Sequence, residues 1–81
     1  MGILEILKQV NEIFIEEFED DNIQINYETT AKDIDEWDSL NHIMLVVAIE
    51  KQFLIKFTTA EVQGFNNVGQ MCEFINKKLN D

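Results

Sequence analysis

Apolar side chains recur along this chain at intervals of three and four residues, and little interrupts them. Ile3, Ile6, Leu7, Val10, Ile13, Phe14 and Phe18 fall on one face of a helix, with Glu12, Glu16 and Glu19 on the polar side. Ile15 falls off that face and is expected to be partly exposed. Proline is absent and glycine occurs three times, so few residues break a helix. The run Glu19-Asp20-Asp21-Asn22 places anions where they oppose the helix dipole, and the first helix is predicted to stop near it.

The pattern resumes at Asp38-Ser39, either of which can cap a helix N-terminus at a worth of about 1 kcal/mol. Leu45, Ile49 and Phe53 form one stripe of the second helix, with Val46 alongside; Leu40, Ile43, Met44 and Val47 form another. A small bundle cannot cover both, so the second stripe is expected to meet a ligand or partner; the alternative is a helix buried nearly all round. Thr58-Thr59-Ala60-Glu61 has the capping-box form and starts a short helix ending near Gly64. Asn66 or Asn67 caps the last helix, in which Val68, Met71, Cys72, Ile75 and Leu79 repeat at three and four, Phe74 flanks that stripe, and Lys77 and Lys78 suit the final turn. The expected fold is all-α: a small four-helix bundle with three longer helices, one short helix and a long acidic loop between the first two, residues 1–81 forming a single domain. A chain of 81 residues buries roughly 60% of its unfolded surface, so the core is small.

Residues 20–38 are mostly polar, with Ile23, Ile25, Tyr27, Ile34 and Trp37 scattered through them. Ile23 to Tyr27 alternates like a strand but has no second strand to pair with. A long loop pinned to the core by those side chains is predicted, and loops of this length in compact domains are usually functional.

Charge concentrates in the same region. The chain carries −10 overall, with no arginine; residues 16–38 hold ten acids against Lys32, whereas residues 39–81 are balanced. This disfavours nucleic acid and anionic membrane surfaces as partners. An acidic patch of this kind is either a solvated loop or a steering surface for a basic partner. No apolar run approaches the roughly 18 residues of a membrane span. The N-terminus lacks a signal-peptide layout, and Ile6 stands where a myristoylation motif needs Ser or Thr. The single cysteine, Cys72, excludes an internal disulfide, suits a reducing cytoplasm and is expected to be a buried small hydrophobe.

Several chemistries fail on spacing. A calcium loop starting at Asp33 would need an oxygen ligand, a glycine and a glutamate where Trp37, Asp38 and Met44 stand. Asp38, Ser39 and His42 lie on one helical turn, whereas a hydrolytic triad gathers its members from different elements around an oxyanion hole. His42 is the only histidine, a poor basis for a metal site, and is expected at the surface. Ser39, exposed and without a base, is a poor nucleophile but a good acceptor for a group installed by another enzyme. The first-turn N–H groups and the dipole would favour an added phosphodiester there, against the opposing charges of Asp35, Glu36 and Asp38. A plain N-cap is the alternative role for Ser39.

Asp38-Ser39-Leu40, followed by an apolar helix through Glu50 and Phe53, resembles the acyl carrier protein family, and the resemblance covers essentially the whole chain. It implies a four-helix bundle bearing a 4′-phosphopantetheine arm on Ser39, with Asp38 as a motif residue contacted by the modifying enzyme. A holo-carrier-protein synthase (phosphopantetheinyl transferase) would attach the arm from coenzyme A with Mg²⁺. The arm's thiol would hold acyl groups as thioesters and deliver them to acyl-loading and acyl-transferring enzymes with basic surfaces. Such proteins are substrates rather than enzymes; a monomer working in the cytoplasm is implied, in fatty-acid, lipid or specialised acyl or polyketide biosynthesis. Leu40, Ile43, Met44 and Val47, with Asp35 and Glu36, fit the partner-docking face, and the core near Leu45, Ile49, Phe53 and Phe65 could shelter an acyl chain.

The chain departs from the common fatty-acid pattern. Asn41, Met44 and Lys51 stand where acids are frequent, and residues 39–54 hold only Glu50 and Lys51 as charges. Trp37 and His42 flank the motif where smaller or different residues are usual. These departures point to a specialised carrier. An amino-acid-loading carrier and a non-enzymatic helical docking module are the alternatives, though the aspartate before Ser39 favours acyl groups.

Overall fold

In the computed structural model, which describes residues 2–80, four helices follow one another: α1 (Ile3–Phe18), α2 (Ser39–Phe53), α3 (Thr59–Gln63) and α4 (Val68–Asn80). No strand occurs among the described residues. The predicted apolar faces of α1 and α4 and the first stripe of α2 turn inward. Ile6, Val10 and Phe14 of α1, Leu45 and Ile49 of α2, and Val68, Met71, Cys72 and Ile75 of α4 have no exposed surface. α1 packs against both α2 and α4, and Phe14 sits in an edge-to-face arrangement with Phe18 at 5.4 Å and Trp37 at 5.0 Å.

Both longer helices that precede loops end without glycine. Glu19 and Leu54 adopt left-handed conformations at φ 53° and φ 56°. The amide after each reaches back five residues, Asp20 to the Ile15 carbonyl and Ile55 to the Glu50 carbonyl. This closes the helix as in a Schellman motif, at a conformational cost of about 1–2 kcal/mol per non-glycine residue. α1 therefore stops at the acidic run.

The connection from Glu19 to Asp38 is tied down along its length. Ile23, Ile25, Ile34 and Trp37 are buried and Tyr27 is half-buried against the core. With no second strand, the Ile25 amide donates instead to Asn11 Oδ1 of α1 at 2.8 Å. Thr29 is buried, and its hydroxyl oxygen accepts from the Asn26 amide. The connection also caps α4: the carbonyls of Thr29 and Tyr27 accept the Val68 and Gly69 amides at 2.9 and 2.8 Å. These are first-turn amides with no partner inside their own helix. Asn67, not Asn66, supplies the side-chain cap, accepting from the Gln70 amide at 2.8 Å.

α3 is held from outside. Thr58 and Glu61 form both bonds of the capping box, and Lys78 Nζ of α4 lies 2.9 Å from Glu61 Oε1. Phe57, Phe65 and Phe74 stack edge-to-face in series between α3 and α4.

Candidate functional site

Ser39 is the first residue of α2, and the turn beneath it is closely hydrogen-bonded. Asp38 is the N-cap, with extended backbone; its Oδ1 accepts the Asn41 amide and its carbonyl accepts the His42 amide, both at 2.8 Å. Asn41 Nδ2 donates to the Glu36 carbonyl at 2.7 Å, and the Trp37 amide donates to the Ile34 carbonyl at 3.1 Å. Asp38 occupies one of the amide sites that an anion at this helix start could use, which leaves the Ser39 and Leu40 amides. The Ser39 side chain is exposed, and its hydroxyl makes no hydrogen bond among the described residues.

His42, expected at the surface, is only partly exposed there. It is half-buried, stacked on the Trp37 ring at 5.9 Å and edge-on to Phe65 at 6.0 Å. The Trp37 Nε1–H donates to His42 Nδ1 at 2.9 Å, and His42 Nε2 lies 3.0 Å from the Val62 carbonyl oxygen. Because Nδ1 accepts, the proton of the neutral ring sits on Nε2, which donates to Val62. Both nitrogens are engaged with Trp37 and Val62, and no hydrogen bond joins His42 to Ser39 among the described residues. No signal in the sequence marks this histidine as a bridge, since its two partners lie five residues before it and twenty after.

Beside Ser39 a groove of about 720 Å³ opens to solvent between the start of α2 and α3. Trp37, His42, Ile43, Val62 and Phe65 supply its rings and apolar walls. Leu45, Ile49 and Phe53, expected to border a shelter for a chain, are buried in the core and do not line it; Phe65 does. The second stripe of α2 is open as expected: Leu40, Ile43, Met44 and Val47 are 70%, 59%, 50% and 42% exposed. Of the two acids expected beside it, Asp35 is exposed and Glu36 half-buried. Among the described residues no cluster of His, Cys, Asp or Glu is placed to hold a metal ion, and no helix is long and apolar enough to cross a membrane.

The site suits a covalently attached, flexible, partly apolar group with an anionic root. Its hydroxyl is accessible, two amides at the helix start are unoccupied, and a broad groove adjoins it. The pattern of the phosphopantetheine attachment site family matches residues 2–75. An acyl carrier protein of Cyanidium caldarium is 32% identical over 77 residues, covering 95% of this chain and 90% of that protein. The solution structure of a holo acyl carrier protein from Geobacter metallireducens superposes with a TM-score of 0.86 at 43% identity, over 91% of this chain and 85% of that one.

Proposed function

Because the chain belongs to the acyl carrier protein family, non-catalytic carriers with a 4′-phosphopantetheine prosthetic group, we propose that Ser39 is the attachment residue. The observation that carries this is the Ser39 hydroxyl: exposed, unbonded, and fixed at the head of α2 by the Asp38 cap. When bound, the group supplies a terminal thiol that holds an acyl group as a thioester. Ser39 Oγ would bond to phosphorus as the pyrophosphate of coenzyme A breaks and adenosine 3′,5′-bisphosphate leaves. The hydroxyl proton would pass to the transferase, because both His42 nitrogens are engaged elsewhere. Asp38 then contributes twice, as the cap that presents the hydroxyl and as a contact for the modifying enzyme.

The family implies interaction with a phosphopantetheinyl transferase and with biosynthetic enzymes. Here the docking face is Leu40, Ile43, Met44 and Val47, flanked by Asp35 and Glu36. Its four apolar side chains stand without acids between them, so basic partners are steered by the connection before α2 and held by apolar contact on α2. That division of labour supports a specialised carrier over a housekeeping one.

Incubation with coenzyme A, Mg²⁺ and a transferase, followed by intact-mass measurement, tests the reading. A single phosphopantetheine mass gain that Ser39→Ala abolishes is expected. An unlabelled folded chain would leave a helical docking module with Ser39 as a simple cap. A gain that survives in Ser39→Ala would move the attachment elsewhere.

A further inference from the structure

Trp37, His42 and the Val62 carbonyl form a hydrogen-bonded chain across the gap between α2 and α3, next to Ser39. The bonds, at 2.9 and 3.0 Å, join three places in the sequence: the residue before the cap, the first turn of α2, and the end of α3. Rings brace it on both sides, Trp37 against Phe14 and His42 against Phe65, which in turn meets Phe57 and Phe74. Leu45 and Ile49, three and seven residues beyond His42 and so on the same face of α2, have no exposed surface.

The geometry points to a latch: Trp37 and His42 keep the cargo of a Ser39-linked arm out of the core and in the open groove beside it. This rests on Ser39 being the attachment residue. A chain threading between α2 and α3 toward Leu45 and Ile49 would have to part His42 from Val62. His42 Nε2 would then lose its partner, and swinging the ring aside would also take Nδ1 from the indole N–H of the 5%-exposed Trp37, which a buried donor resists strongly. Resting in the groove against Trp37, Ile43, Val62 and Phe65 breaks no bond. The carrier thereby favours short acyl groups, which gain little from deep burial, and leaves their thioesters open to attack. Trp37 and His42 are positioning residues for the cargo.

The test loads the folded protein with butyryl, octanoyl or dodecanoyl phosphopantetheine from the acyl coenzyme A and a transferase. Mass is read first. Each thioester is then cleaved with hydroxylamine beside the same acyl group on free pantetheine. In the wild type, rates for all three should match free pantetheine within about twofold. The Trp37 indole resonance should shift on loading while the Leu45 and Ile49 methyl resonances stay in place. In His42→Ala, and in Trp37→Phe, which retains a ring but removes the N–H donor, cleavage of the dodecanoyl thioester should slow roughly fivefold or more as the chain enters the core. Protection in the wild type that grows with chain length, with shifts at Leu45 and Ile49, would overturn the latch. So would either variant, shown to be folded by its melting transition, leaving the dodecanoyl thioester as labile as in the wild type. A missing mass gain would instead overturn the Ser39 attachment, and the latch with it, before any thioester is challenged.

Discussion

Gly69 lies so close to Tyr27 that its amide donates to the Tyr27 carbonyl at 2.8 Å, and a Cβ on Gly69 would stand 2.8 Å from that same oxygen. The contact joins the first turn of α4 to the middle of the connection between α1 and α2. It depends on the missing side chain, not on an unusual backbone angle.

Gly69→Ala sets two effects against each other. Alanine is better than glycine in a helix by about 1 kcal/mol. The obstructing atom is a backbone carbonyl that cannot swing aside, and overpacking of this kind costs about 1–3 kcal/mol. The clash should win: urea denaturation should show net destabilisation, and faster exchange of the Val68 amide should locate the damage. A stabilised variant would mean that the connection yields easily.

The two stripes of α2 and α1 should respond oppositely to truncation. Phe14→Ala removes a fully buried ring that contacts Phe18 and Trp37, and should cost about 3–5 kcal/mol, enough to unfold much of so small a domain. Leu40→Ala and Met44→Ala, at exposed positions, should change stability by less than about 0.5 kcal/mol. The same two variants should weaken binding to an acyl-transferring enzyme, read by titration calorimetry. Binding by the wild type should fall less steeply with salt than that of a carrier with an acidic second helix.

Asp38→Ala should cost about 1 kcal/mol through loss of the bond to the Asn41 amide, while Asp38→Asn should keep most of it. Thermal melts of both variants check this. Equal melting temperatures for wild type and Asp38→Ala would show that the bond contributes nothing.

Two groups give the pH response a direction. Burial, with a smaller push from the charge of Glu73, raises the Cys72 thiol from 9.0 to about 12. The folded state therefore resists ionisation there. The associated stability is intact below pH 9 and is lost as pH rises toward 12. The wild type should lose more stability than Cys72→Ala over that window, and a maleimide should label Cys72 only on unfolding. At the acid end, the hydrogen bond from the Thr58 amide, aided by Lys78, holds the Glu61 carboxyl below 4.5. A lowered carboxyl stabilises above its unfolded value and loses that contribution as pH falls through the folded one, so amide exchange in α3 should speed up in acid before the rest of the fold opens.

Crowded acids should respond to ions. Residues 16–38 contain ten acids and one lysine, and added salt or Mg²⁺ should raise the melting temperature. No response would show that those charges stand too far apart to repel.

Local spacing foretold much of this architecture because it reports on faces and caps. The inward face of α1, the two stripes of α2, the Thr58–Glu61 capping box and the pinning of the connection by Ile23, Ile25, Ile34 and Trp37 all follow from short-range patterns. What remained hidden depends on contacts between distant segments. A lone histidine gives no periodic signal, so the bridge from Trp37 through His42 to Val62 emerges only when α2 and α3 are brought side by side. The choice of Asn67 over Asn66 turns on where Thr29 and Tyr27 place the first amides of α4. The groove likewise takes its walls from both α2 and α3, so its place beside Ser39, and not among the buried Leu45, Ile49 and Phe53, shows only once those helices are paired.

The connection from Glu19 to Asp38 is bonded to α1 through Asn11, to α4 through Val68 and Gly69, and to the head of α2 through Asn41. Ser39 thus sits on a mount bonded to three helices. A cargo tethered there, as proposed, would have mainly its tether for travel, and every enzyme handling it would have to bring its catalytic pocket within that one radius.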